Sequence, residues 1–387
     1  MQAFTPDAAR SHRQPFVDQR VAAAERAAAM PFPTPAEEIW RYSRIDDLDL
    51  DAFTPGVTET TVSGGDGVII DAADGVALPN VIDAPAPDVF AELNAAFMSP
   101  VVVRVGKGRV HEQTVVVTHT VSGNGSAVFP RLVIDADEDS QVIVVERFVS
   151  EGDGVALVVP VLQVRAAPAA RVQYLGVNEL SSTAWQIGHQ QAVGDRDTSV
   201  TLATVALGGH YARVRTEARV SGPGASTRQV ALYFADGEQM HDFRTIQDHD
   251  APHTTSDLLF KGAVQDHSRS VYTGLIKIRK HARGTTAFQT NRNLTLSDGA
   301  WAESVPNLEI ETNDVRCSHA STVGPIDPEH RFYLESRGIP TQIAERLIVL
   351  GFFDEVLDQL PVGPLAGELR RRVSAKLDLE RSLSGVA

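Results

Sequence analysis

The sequence predicts a mainly β chain in which stacked strands fill residues 98–312, with helical regions at 1–97 and 313–387. Three observations carry this. First, β-branched runs such as "PVVVRV", "QTVVVTHT", "RLVIDA", "SQVIVVERFV", "ARVQYLGV", "TSVTLATVAL" and "TRQVALYFA" follow one another, separated by Gly, Asp, Asn and Pro. Second, a small residue opens successive runs at Ser140, Ala170, Ser199 and Ser226, in steps of 30, 29 and 27 residues. Third, no helical periodicity interrupts them. A repeat of this length without helices points to the coils of a β-solenoid, each covering the apolar face of the next. A β-sandwich is the alternative, since it also gives evenly spaced short strands.

The elements follow in order. "PFVDQRVAAAERAAAM" is alanine-rich and predicts a helix. In "PTPAEEIWRY", Thr34 can cap a short helix, Pro35 suits its first position, and Glu37 can close a capping box. Residues 51–86, rich in Gly, Asp and Thr, read as loops with weak strands. "PDVFAELNAAF" predicts an amphipathic helix through Phe90, Leu93 and Phe97. In the late strand "QTNRNLTL", Gln289, Asn291 and Asn293 share one face. They are either an inward polar stack or a solvated edge. "IPTQIAERLIVLGFFDEVLDQL" predicts two short helices broken at Gly351, with Leu347, Leu350, Phe353, Val356 and Leu357 as the apolar stripe. Phe352 and Phe353 are adjacent, so one of them can face outward to a partner. A last helix is predicted over "PLAGELRRRVSAKLDLERSL", with Pro364 near its start.

Composition narrows function. The formal net charge of -15 opposes long-range attraction to nucleic acid or to anionic membranes. The first residues have no apolar core of a secretory signal, and the longest apolar run, at 155–164, contains Pro160. These features point to a soluble, cytoplasmic protein. No G-x-x-x-x-G-K-[ST], H-E-x-x-H or G-x-S-x-G motif occurs. His241, His249, His253, His267 and His281 crowd one segment without the spacing of a zinc site. They are expected to be hydrogen-bonded or exposed.

One motif remains. "NDVRCSHASTVG" (313–324) holds the single cysteine, Cys317, and His319 follows it by two. A single cysteine excludes an internal disulfide and a cluster held by four cysteines of this chain. If "VRCSH" is extended, Val315, Cys317 and His319 lie on one face, and thiol and imidazole can reach one iron or zinc. The remaining ligands must come from elsewhere, and a second chain is the economical source. The alternative is a buried cysteine beside a satisfied histidine.

The stretch from "HTTSDLLFKGAVQDHSRSVYTGLIKI" to "NLEIETNDVRCSHASTVGPIDPEHRFYLESRGI" resembles the SufB/SufD family of iron–sulfur cluster assembly proteins. The blocks "KG", "LEI", "DVRCSH", "TVG" and "FYLESRGI" carry it, and "EIWRY" and "AELNAAF" agree. "CSH", and the lack of a further core cysteine, look more like the SufD branch than like SufB. Ala320 departs from the glycine usual there. The resemblance implies a right-handed parallel β-helix and a non-catalytic scaffold that pairs with a SufB subunit. It also implies a SufC ATPase bound at the C-terminal helices, with Arg337, Gly338, Phe352 and Phe353 as candidate contacts. His319 would lie at the SufB interface near a SufB cysteine, and Cys317 matches the family cysteine. Any iron or iron–sulfur cluster would be transient and shared with SufB. Alternatives are a SufB-like cluster scaffold, a β-helix enzyme acting on acidic polysaccharide, and self-pairing into a homodimer in isolation.

Overall fold

A computed structural model describes residues 1–12, 15–70 and 86–384. Most of the predicted loop at 51–86 is therefore described only up to residue 70. The chain is a parallel β-solenoid of about 8 turns flanked by helices. Each coil gives one strand to each of two sheets, so strands alternate between them along the chain. One sheet runs from Ile69–Ile70 to Trp301–Ile310, and the other from Glu59–Ser63 to Val315–Gly324. The long strands pair in parallel with the strand one coil earlier. Such pairing excludes the sandwich, whose neighbours run antiparallel.

The predicted recurrence is real but slips by one residue. Gln141 pairs with Arg171, Arg171 with Ser199, and Ser199 with Ser226. Ser140 and Ala170 thus stand one position before the aligned set. In the later coils the strands of the first sheet, as in Tyr211–Val220 or Met240–His249, mix charges with apolar residues and do not read as β-branched runs.

The interior changes character along the stack. Early coils present Val142, Val144, Val172, Val200 and Leu202 to an apolar centre. Later ones present amides and hydroxyls. Asn291 and Asn293 are buried, not a solvated edge. Asn291 donates to the Tyr233 hydroxyl at 2.9 Å, which donates to Asn293 Oδ1 at 2.6 Å, and Asn293 donates to Asn291 Oδ1 at 2.8 Å. Gly262 is required beside them, because a Cβ there would stand 1.8 Å from the Tyr233 ring.

Helices cover the outer faces of both sheets. Helices α1 (Pro6–His12), α2 (Val17–Ala29) and α3 (Val89–Phe97) pack Phe4, Phe90 and Phe97 near Trp185, Tyr211 and Met240. Asp88 caps α3, accepting from the N–H groups of Phe90 and Ala91. The helix predicted at "PTPAEEIWRY" is only a 3-10 turn, Glu38–Trp40. Glu37 does accept from the Thr34 N–H at 3.0 Å. However, Arg244 and Arg213 donate to the Glu38 and Ile39 carbonyls, taking acceptors that a helix would need. Trp40 is buried, with the Arg213 guanidinium 3.9 Å over its ring.

On the other face lie α4 (Pro328–Glu335), α5 (Thr341–Leu357) and α6 (Gly363–Ser384). The break predicted at Gly351 does not occur. Val349, Phe353, Val356 and Leu357 bury against Phe234 and Leu232, and that packing outweighs the cost of about 1 kcal/mol for one helical glycine. Leu347 faces outward and Val349 takes its place in the buried stripe. Lys261 of the "KG" block fastens α5, donating to the Phe352 carbonyl at 2.9 Å and pairing with Glu355.

Of the five clustered histidines, His241 and His249 are fully buried. His249 bonds Thr254 at 2.7 Å and Ser256 at 2.8 Å, and burial pushes its pKa down to about 4. Burial, aided by Lys376, pushes His241 down to about 3. Between pH 6.5 and 4 the unfolded chain therefore binds protons at these sites and the folded chain does not, so stability falls as pH falls. Unfolding by urea is expected to show a loss on the order of 2–3 kcal/mol from His249 across that window. His249→Asn is expected to flatten the slope; an unchanged slope would contradict the assignment.

Candidate functional site

The site is the far end of the solenoid. Val315–Gly324 and Trp301–Ile310 are the terminal strands of their sheets, and among the described residues no further coil covers them. At the opposite end, Glu59–Ser63 and Ile69–Ile70 pair antiparallel with Val115–Ser122 and Ser99–Val105 and close the stack. The open end leaves core-type side chains in solvent: Leu308 is 41% exposed, Ile310 40% and Val323 44%. In strand register these residues continue the inward columns of Ile276, Ile278 and Asn293. A soluble protein rarely leaves such an edge and such a face uncovered.

The "VRCSH" segment is extended, as its sequence predicts. Cys317 lies over Ala287 and His319 over Gln289, both on the inward face. Alternate Cα atoms in a strand are about 6.7 Å apart, close enough for the two side chains to reach one ion. Cys317 is half-buried with Val315 against Ile276, Ile278, Ala282 and Ala287. Burial raises its thiol pKa above the ordinary value, so the neutral thiol prevails at pH 7. His319 is exposed at the rim. Among the described residues, no three His, Cys, Asp or Glu side chains gather in a metal-holding geometry. Thiol and imidazole stand two residues apart on the inward face of the last described strand of this sheet.

The other candidate residues lie on the C-terminal helices. Gly338 ends α4 in the left-handed region at φ 83°, which glycine adopts without strain. Arg337 is exposed, its guanidinium 4.4 Å over the Tyr333 ring. Of the adjacent phenylalanines, Phe353 is fully buried against Phe234 and presents no surface to a partner. Phe352 is half-buried under the Lys261 ammonium. The exposed apolar surface is instead Phe332 at 70%, Tyr333 at 56%, Ile343 at 46% and Leu347 at 47%. Phe332, Tyr333 and Ile343 were not singled out from sequence, and Leu347 was read there as part of the packed stripe. Only the structure shows that the short helix α4 has no buried residue and turns both rings outward.

The architecture is thus a β-solenoid sheathed by helices on two faces, closed at one end and open at a Cys–x–His edge. The profile described as "SUF system FeS cluster assembly, SufBD core domain" matches residues 118–352. The chain is 33% identical over 372 residues to an iron–sulfur cluster assembly SufBD family protein of Mycobacterium tuberculosis, covering 92% of this chain and 91% of that one. It is 28% identical over 330 residues to the iron–sulfur cluster assembly protein SufD of Escherichia coli, covering 84% and 77%. With SufD of Bacillus subtilis the figures are 29% over 268 residues, 69% and 61%. The chain belongs to the SufB/SufD family of iron–sulfur cluster assembly proteins.

The raised thiol pKa has a direct consequence. Alkylation of Cys317 in the isolated folded chain by iodoacetamide at pH 7 is expected to run at least about tenfold slower than for the unfolded chain. Equal rates would show a thiol neither shielded nor shifted.

Proposed function

We propose that this chain is a non-catalytic scaffold subunit of a Suf iron–sulfur cluster assembly complex. It pairs through its open end with a SufB-like subunit, and its C-terminal helices bind a SufC-like ATPase. The observation that carries this reading is the uncovered coil, where Cys317 and His319 stand on the inward face among exposed Leu308, Ile310 and Val323. A partner with a matching open coil would continue both sheets, bury the apolar rim, and bring its own ligands opposite His319. Iron or a nascent cluster is the cargo of such a seam, shared by the two chains. Cys317 becomes a ligand only when a cation or the partner lowers its pKa. The compartment that fits this role is the cytoplasm.

The ATPase surface is assigned to Phe332, Tyr333, Ile343 and Leu347, with Arg337 at its edge. Aromatic and arginine side chains of this kind are common anchors at protein interfaces. Lys261 and Phe353 tie α5 to the solenoid and Lys376 ties α6, so a movement imposed on α5 would be delivered to the later coils of the stack. The edge that receives a SufB-like chain would also accept a second copy when the partner is absent.

The test is co-purification with SufB-like and SufC-like partners, followed by iron and sulfide analysis. His319→Ala is expected to keep both partners and to lower iron and sulfide by roughly tenfold or more, since even outer partners of metal ligands have effects of that size. Wild-type iron and sulfide in the His319→Ala complex would refute the role of the open end.

A further inference from the structure

Three amides project inward from one strand near the open end, and one differs from the others. Asn291 and Asn293 are fully engaged with each other and with Tyr233. Gln289 is 1% exposed, yet neither its Nε2 nor its Oε1 has a hydrogen-bond partner among the described residues. A buried amide left this way costs on the order of 1–3 kcal/mol for each unmade bond. Packing does not demand glutamine here. The neighbouring column holds Ala287, and one coil deeper in its own column stands Leu258.

Two further observations say what Gln289 is for. It pairs in register with His319, so the imidazole stands directly above the amide on the inward face. Across the interior, the chain makes room for the amide. A Cβ at Gly274 would stand 2.4 Å from Gln289 Nε2 and 2.4 Å from the Tyr272 hydroxyl. The Tyr272 hydroxyl is itself within 2.9 Å of the Thr245 hydroxyl. No hydrogen bond among the described residues holds either end of the amide, so it is free to turn Oε1 toward a donor from above.

We propose that Gln289 is a positioning residue for His319. Once a partner covers the open end, Gln289 Oε1 accepts the N–H of one ring nitrogen and leaves the lone pair of the other directed across the seam toward iron. An imidazole buried in an interface needs a partner for its N–H, and a metal-binding histidine works best in a single tautomer. Gln289 supplies both conditions from a place that the partner cannot reach. The inference rests on the reading of His319 as a cluster-assembly residue.

The test uses the chain labelled with 15N-histidine and co-purified with its SufB-like partner. Two-bond 1H–15N correlation reads the imidazole tautomer, and His319→Ala identifies the His319 signal. Wild type is expected to show a single His319 tautomer. Gln289→Met, similar in volume but without an acceptor, is expected to show a mixture. Gln289→Glu keeps an acceptor and is expected to keep the single tautomer. Gln229→Met is the control, because Gln229 is an equally unpartnered amide of the same column but lies beneath Leu258. It is expected to leave the signal unchanged. A single wild-type tautomer in Gln289→Met, or an equal disturbance from Gln229→Met, would overturn the proposal. The melting temperature of the isolated chain separates positioning from packing. Gln289→Met is expected to hold it or raise it by about 2 °C, and a fall would mark Gln289 as structural and overturn the proposal. If His319→Ala leaves iron and sulfide untouched, the functional reading fails. If it depletes them while Gln289→Met keeps one tautomer, only the positioning role fails.

Discussion

A solenoid coil cannot bury its own inward face; the next coil must do it. Every feature of this protein follows from how that requirement is met along the stack. In the middle, coil upon coil satisfies it, with parallel backbone pairing and shared side-chain columns. At one end two short antiparallel strands satisfy it. At the other end nothing among the described residues does. The last coil presents an unpaired backbone edge on both sheets and a row of apolar side chains beside Cys317 and His319. Among the described residues that end is left open, and the proposed pairing is with a polypeptide that covers it.

The rest of the molecule stiffens the route to that end. The outer faces of both sheets are covered by helices, and the covers are fastened by buried polar anchors as well as by apolar contact. Lys376 reaches the Leu207 carbonyl and Asp236, Lys261 holds α5, and Arg213 joins Asp242, Trp40 and the Ile39 carbonyl. Buried ion pairs of this type contribute little net stability compared with apolar packing, but they fix one arrangement. A rod whose two sheathings cannot slide is suited to carrying a displacement from the helical surface to the open coil. The interior supports the same division. It is apolar where it only needs to be filled, and turns to amides and hydroxyls in the coils nearest the site.

Much of this was legible in the residues. The β-branched runs and their recurrence gave the solenoid because strand composition and period are local properties. The alternation of Gln289, Asn291 and Asn293 marked a shared face, and "VRCSH" marked a thiol and an imidazole side by side, because side-chain direction in a strand is fixed by geometry. The failures have equally physical causes. "EIWRY" carries helix-start signals, but arginines more than 170 residues away capture its carbonyls. Gly351 carries a helix-stop signal, but tertiary packing overrides it. Phe353 read as a candidate contact, and only the docking of α5 shows that it is core. Nor could sequence tell which apolar residues go uncovered: Leu308 and Ile310 look like any inward strand residue until the stack is seen to end with them.

The central claim is that the open end is a seam completed by a companion chain. Hydrogen–deuterium exchange, comparing the isolated protein with its complex with a SufB-like subunit, tests it most directly. The account predicts that amides of 301–310 and 315–324 exchange quickly alone and become strongly protected in the complex. Unchanged exchange in those two strands, with new protection elsewhere on the surface, would contradict it.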